Sequence, residues 1–138
     1  MNNSVHIRKV IFPACFFILA GVTFYSCTYN KAELKVDCVL PATASFNNDV
    51  MPIINAQCNG LGCHNGTTNA GHLNLESSIA YSQLTHTGSG YIDTLNPAAS
   101  IFYSSLISAS NIMPPAGKLD DCKIKLILQW IQQKAKNN

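Results

Sequence analysis

The pattern of apolar and polar positions divides this chain into stretches with different expected fates. An uncharged apolar stretch runs from Val10 to about Phe24, after a short basic segment carrying His6, Arg8 and Lys9. It is shorter than the roughly 20 residues a membrane-spanning helix needs, and it closes on "FYSC" instead of on basic residues. That layout predicts a secretory signal over residues 1–26. "TYNKAELKVD", directly after Cys27, is polar without apolar periodicity and reads as a tether. The tether is assigned to residues 27–44 and the folded domain to residues 45–138.

From residue 45 onward the periodicity is helical. "SFNNDVMPIINAQC" places Val50, Ile53, Ile54 and Gln57 at helical spacing behind a cap at Ser45 or Asn48, with Pro52 acceptable in the first turn. The helix is expected to stop between Cys58 and Gly60, and Gly62 and Gly66 free the chain to turn after it. A second short helix should start at Ser77 or Ser78, with Ile79 and Leu84 facing inward. A third, in "NPAASIFYSSLIS", should carry Pro97 in its first turn and a face of Ile101, Phe102 and Leu106. "THTGSGYIDTLNP" and "NIMPPAGK" read as loops, the second stiffened because each proline fixes its own backbone and restricts its predecessor. The last helix has the fullest pattern: Asp120 as N-cap, then Ile124, Ile127, Leu128 and Ile131 on one face. Lys134 and Lys136 close it favourably against the helix dipole. No segment alternates with the period of a strand over any length, which predicts an all-α fold around one small core.

Composition changes this picture at two points. The formal net charge of +2 belongs to the export segment, because removing residues 1–26 takes Arg8 and Lys9 and leaves as many lysines as the 7 acidic residues. A neutral remainder of about 110 residues suits one domain and lacks the basic surface a nucleic-acid binder needs. Export also bears on the 6 cysteines, since idle thiols are rare in an oxidising compartment. Cys15 leaves with the signal, and Cys27 fits the position at which a lipoprotein signal is cut and acylated. Cys38, Cys58, Cys63 and Cys122 remain. No Ser-His-Asp order, carboxylate pair or phosphate loop is recognisable, so no enzymatic reaction is expected.

Two of those cysteines fall beside a histidine in "CNGLGCHNG", residues 58–66. Covalent haem attachment needs two thiols that reach the vinyl groups of one porphyrin, and an imidazole beside the second thiol to bind the iron. The usual linker has two residues; here four separate Cys58 from Cys63, and Gly60 and Gly62 would let the extra residues loop outward. The same three side chains are competent zinc ligands, with His72, His86 or a distant cysteine needed to complete a structural set of four. A Cys58–Cys63 disulfide with His64 on the surface, or thiol chemistry, also fits the residues. Downstream, two prolines follow Met113, and a thioether held on a stiff loop suits the far face of a haem iron. Filling a core gap is the commoner use of a methionine. Met51, on the helix leading to Cys58, is poorly placed for that far face. His72 and His86, the alternative sixth ligands, lie in polar, glycine-bearing segments.

In order, a helix ending in Cys and Cys-His, "GHLNL", "NPAAS", "MPP" and a closing helix ending "LILQWIQQKAKNN" resemble the small monohaem cytochrome c domains of bacterial lipoproteins, near the planctomycete-type domain of the class I cytochrome c superfamily. The resemblance covers about residues 45–136. It implies the cytochrome c fold, with the first and last helices packed together around one covalent haem c. It implies Cys58 and Cys63 as thioether anchors, His64 as proximal and Met113 as distal iron ligand. In that fold Cys38, ahead of the first helix, and Cys122, opening the last, would form a disulfide; the alternative is two separate buried thiols. Trp130 would pack in the haem pocket or the core. The implied function is single-electron transfer by an exported, lipid-anchored carrier facing the periplasm or the outer surface, with other redox proteins as partners. Two other functions stay open: a disulfide-stapled surface lipoprotein module without cofactor, and a haem peroxidase or gas-binding domain with an open sixth position. Met113 argues against the last.

Overall fold

Ser45 opens the first helical element of the computed structural model, which describes residues 37–138. Its hydroxyl accepts from the Asn48 N–H at 3.1 Å, and its own N–H donates to the Asp49 carboxylate at 2.8 Å, a reciprocal cap. The chain then makes a wide π turn, Phe46–Val50, before tightening into helix α1, Met51–Gln57. Pro52 supplies a physical reason: it has no N–H to give the preceding turn, and its ring would press on the carbonyl four residues back. The Met51 N–H instead reaches Phe46 O, five residues back. The expected signal over residues 1–26 and the acylation position Cys27 lie outside the described residues.

Two short helices follow, with one difference from the sequence reading in each. Helix α2, Ala80–Thr85, buries Ala80 and Leu84, while Ile79 stands half-buried just before it. Pro97–Ala99 forms a single 3-10 turn, and Ser100 breaks the chain at ψ 127° before helix α3, Ile101–Leu106. Ser100 is fully buried, its hydroxyl accepting from the Asp93 N–H at 2.9 Å. The break turns the helix so that Phe102 and Leu106 face the core and Ile101 is 48 % exposed. Helix α4, Asp121–Gln132, is capped by the Asp120 carboxylate on the Cys122 N–H at 2.8 Å. It buries Ile124, Ile127, Trp130 and Ile131, with Leu128 half-buried. Because α4 ends at Gln132, Lys134 and Lys136 lie beyond its last turn, and Lys134 donates to Thr94 O at 3.3 Å.

The core is built where the start of the first element meets the last helix. Trp130 has no exposed surface; its ring lies 5.2 Å from Phe46 and 6.5 Å from Tyr81, and its N–H donates to Lys136 O at 2.9 Å. Residues 38–44, read from sequence as part of the tether, are held on α4. Gln129 donates to Pro41 O at 2.6 Å, Gln133 donates to Ala42 O and accepts from the Ala44 N–H, and Cys38 is disulfide-bonded to Cys122. The described residues form helices, turns and loops with no strand, an all-α architecture.

Candidate functional site

Helix α1 delivers Cys58 as its C-cap, the Cys58 N–H still donating to Ile54 O at 2.8 Å. The linker after it folds back on itself: the Cys63 N–H donates to Gly60 O and the His64 N–H to Cys58 O, both at 3.1 Å. Gly62 sits at φ 80°, in the left-handed region where a side chain is strained. Leu61, at the tip, is 97 % exposed, so the extra linker residues bulge away from the protein.

His64 is fixed from three directions. Its N–H is held by Cys58 O, its carbonyl accepts from the Leu75 N–H at 2.7 Å, and its ring Nδ1 lies 2.8 Å from Ala70 O. A carbonyl oxygen only accepts, so Nδ1 carries a proton, and the neutral tautomer selected by this bond has its lone pair on Nε2. That is the tautomer and restraint a metal-binding imidazole needs. The backbone that aims Ala70 O is unusual. Asn69, Gly71 and His72 all have left-handed φ, at 46°, 62° and 60°. Asparagine tolerates this better than most residues.

Two side chains that the sequence reading passed over organise the loop. The Asn65 carboxamide donates to Gly60 O at 2.8 Å, and its oxygen accepts from the Thr68 N–H at 2.8 Å and the Thr67 N–H at 3.1 Å. The Glu76 carboxylate accepts from the Gly66 N–H at 2.9 Å, and a Cβ on Gly66 would stand 3.0 Å from both carboxylate oxygens, so only glycine fits there without a shift. Asparagine directly after Cys-His and before glycine carried a turn signal. The Ala70 carbonyl carried none, being backbone.

Cys58 and Cys63 are both free thiols and both half-buried, in the same unit in which Cys38 and Cys122 are joined. Burial pushes the Cys58 thiol up to about 11, and the neighbouring Cys63 adds to the rise. Met113 lies in the loop after α3, its N–H donating to Ser105 O at 2.9 Å and its side chain 38 % exposed. It is therefore not filling the core; Met51, 5 % exposed, is. His72 and His86 are exposed and outside the trio. Met113 is tied to α3 and not to the hydrogen-bonded loop of residues 58–75.

Among the described residues no three His, Cys, Asp or Glu side chains converge as a cation site. Zinc needs that convergence. A covalent haem would be held by carbon–sulfur bonds to two thiols and by one imidazole on iron, which is a different requirement. The residues fit such a group in chemistry: an immobilised ring with Nε2 unbonded, two thiols outside any disulfide at the ends of the linker, and an exposed methionine on a separate loop. No described helix is long and apolar enough to cross a membrane. Against models of known families, curated proteins and solved structures, the chain has no match.

Proposed function

We propose that this chain is an exported, lipid-anchored c-type cytochrome that passes single electrons through one covalent haem. The observation that carries the reading is His64: a ring fixed through Nδ1 to Ala70 O, with Nε2 free, directly after the second of two free thiols. In the cytochrome c fold that this reading assigns, Cys58 and Cys63 would hold the group as thioethers, and His64 and Met113 would be its iron ligands. The haem supplies an iron that cycles between ferric and ferrous states. The chain supplies the rest. His64 keeps its orientation because the proton on Nδ1 stays bonded to a backbone carbonyl, and the Met113 thioether favours ferrous iron. Cys27 acylation and the signal over residues 1–26 would place the domain outside the cytoplasm, where redox proteins are its partners.

Expression in a haem-attaching host followed by intact mass measurement tests this. The expected result is one haem that survives acid-acetone extraction, with Cys58→Ala retaining a single thioether and a shifted reduced spectrum. Met113→Ala is expected to open the iron to carbon monoxide. A wild-type protein without extractable-resistant haem rejects the reading, and a wild type that already binds carbon monoxide replaces electron transfer by gas binding or peroxidase chemistry.

A further inference from the structure

We propose that Asn65 is the positioning residue of the attachment loop, its carboxamide closing the four-residue linker between Cys58 and Cys63 onto the turn that follows His64. The inference rests on the haem reading above, and concerns how a wide linker presents two thiols and an imidazole together. With only two residues between the thiols, sterics alone keep them on one turn. A linker containing Gly60 and Gly62 has far more conformations, and glycine loses the most freedom when ordered.

The structure shows what restricts it. Gly60 O accepts twice, from the Cys63 N–H at 3.1 Å and from the Asn65 Nδ2–H at 2.8 Å. The first bond closes the linker on itself, and the second ties that closed linker to the residue after His64. The other end of the same carboxamide holds the Thr67 and Thr68 N–H groups, while the Asn65 carbonyl accepts from the Asn69 N–H at 2.8 Å. Asn69 begins the left-handed segment that aims Ala70 O at His64 Nδ1. One residue thus joins the linker to the backbone that orients the imidazole, its side chain holding Gly60 O and the Thr67 and Thr68 N–H groups and its backbone carbonyl holding Asn69. Glu76, holding the Gly66 N–H, braces the turn from the other side. The Nδ2 donor and the Oδ1 acceptor are both used, so no isosteric residue replaces both functions.

The test compares wild type with Asn65→Ala and Asn65→Asp, the second keeping the acceptor for Thr67 and Thr68 while losing the donor to Gly60. In the haem-free full-length protein, amide hydrogen exchange at Thr68 should quicken by about tenfold in Asn65→Ala, the loss of its bond to Asn65 Oδ1, and exchange at Cys63 should quicken because its acceptor Gly60 O is no longer tied to Asn65, while Ile131 in the core exchanges as before. Asn65→Asp should leave Thr68 protected and release Cys63. After expression in a haem-attaching host, both variants should accumulate a one-thioether species, read by the shifted reduced spectrum and by peptide mapping, where wild type carries two. Unchanged exchange at Cys63 and Thr68 in Asn65→Ala, or full two-thioether attachment in both variants, overturns the proposal. If wild type takes no haem, the functional reading fails while the exchange data still decide the role of Asn65.

Discussion

At the scale of single residues, the thiol of Cys58 and the ring of His64 show how local surroundings set chemistry. Burial holds Cys58 as a thiol, with its proton lost only at about 11 instead of the usual 9.0. A group whose pKa is raised on folding contributes stability that is fully present below the unfolded value and is lost as pH rises through the folded one. Haem-free wild type is therefore expected to lose stability between pH 9 and pH 11 by more than Cys58→Ser does, read from urea midpoints; equal losses reject a role for this thiol. At neutral pH, alkylation of Cys58 should be slow in the folded protein and speed up in urea. Sequence alone shows that Cys58, Cys63 and His64 are neighbours along the chain. It does not show that a carbonyl six residues on fixes the tautomer of His64, because that bond depends on left-handed backbone at Asn69, Gly71 and His72.

At the scale of elements, the caps follow from sequence and the faces only partly do. Ser45 and Asp120 cap where the sequence reading puts them, because a short polar side chain before an apolar period has a local partner in the first-turn N–H groups. Ile101 departs from its expected inward face because Ser100 breaks the helix to satisfy Asp93, a partner seven residues away. Lys134 and Lys136 fall outside α4 because the chain turns at Gln133 to bring Lys136 O to the Trp130 N–H. The packing of Phe46 and Tyr81 on Trp130 makes that tryptophan the central contact of the first and last helical elements. Trp130→Ala should cost about 3–5 kcal/mol in the haem-free protein, measured as a fall in urea midpoint at unchanged slope. Trp130→Phe keeps most of the packing and loses the bond to Lys136 O, so its cost should be smaller; a cost equal to that of Trp130→Ala would place the energy in the hydrogen bond.

At the scale of the whole molecule, the Cys38–Cys122 bond joins positions 84 residues apart and ties residues 38–44 to the start of α4. Closing so long a loop in the unfolded chain corresponds to about 4–5 kcal/mol on a chain-entropy estimate. Haem-free Cys38→Ser/Cys122→Ser protein should unfold at a clearly lower urea midpoint than wild type, and peptide mapping without reductant should find neither cysteine alkylated in wild type. If covalent haem is present, the same double variant should lose less, since thioethers already constrain the unfolded chain; an equal loss with and without haem would show that the two crosslinks act independently. The helical class, the principal caps, the inward positions of Ile124, Ile127 and Ile131 on α4 and the composition of the Cys-Cys-His motif were determined by the sequence itself, because each is set by neighbours within a turn or two of chain. The docking of Phe46 and Tyr81 on Trp130, the exposure of Met113 and Ile101, and the restraint of His64 by Ala70 were decided only by the tertiary structure. Those features arise from partners distant in sequence or from unusual backbone angles, and neither leaves a periodic trace among the side chains.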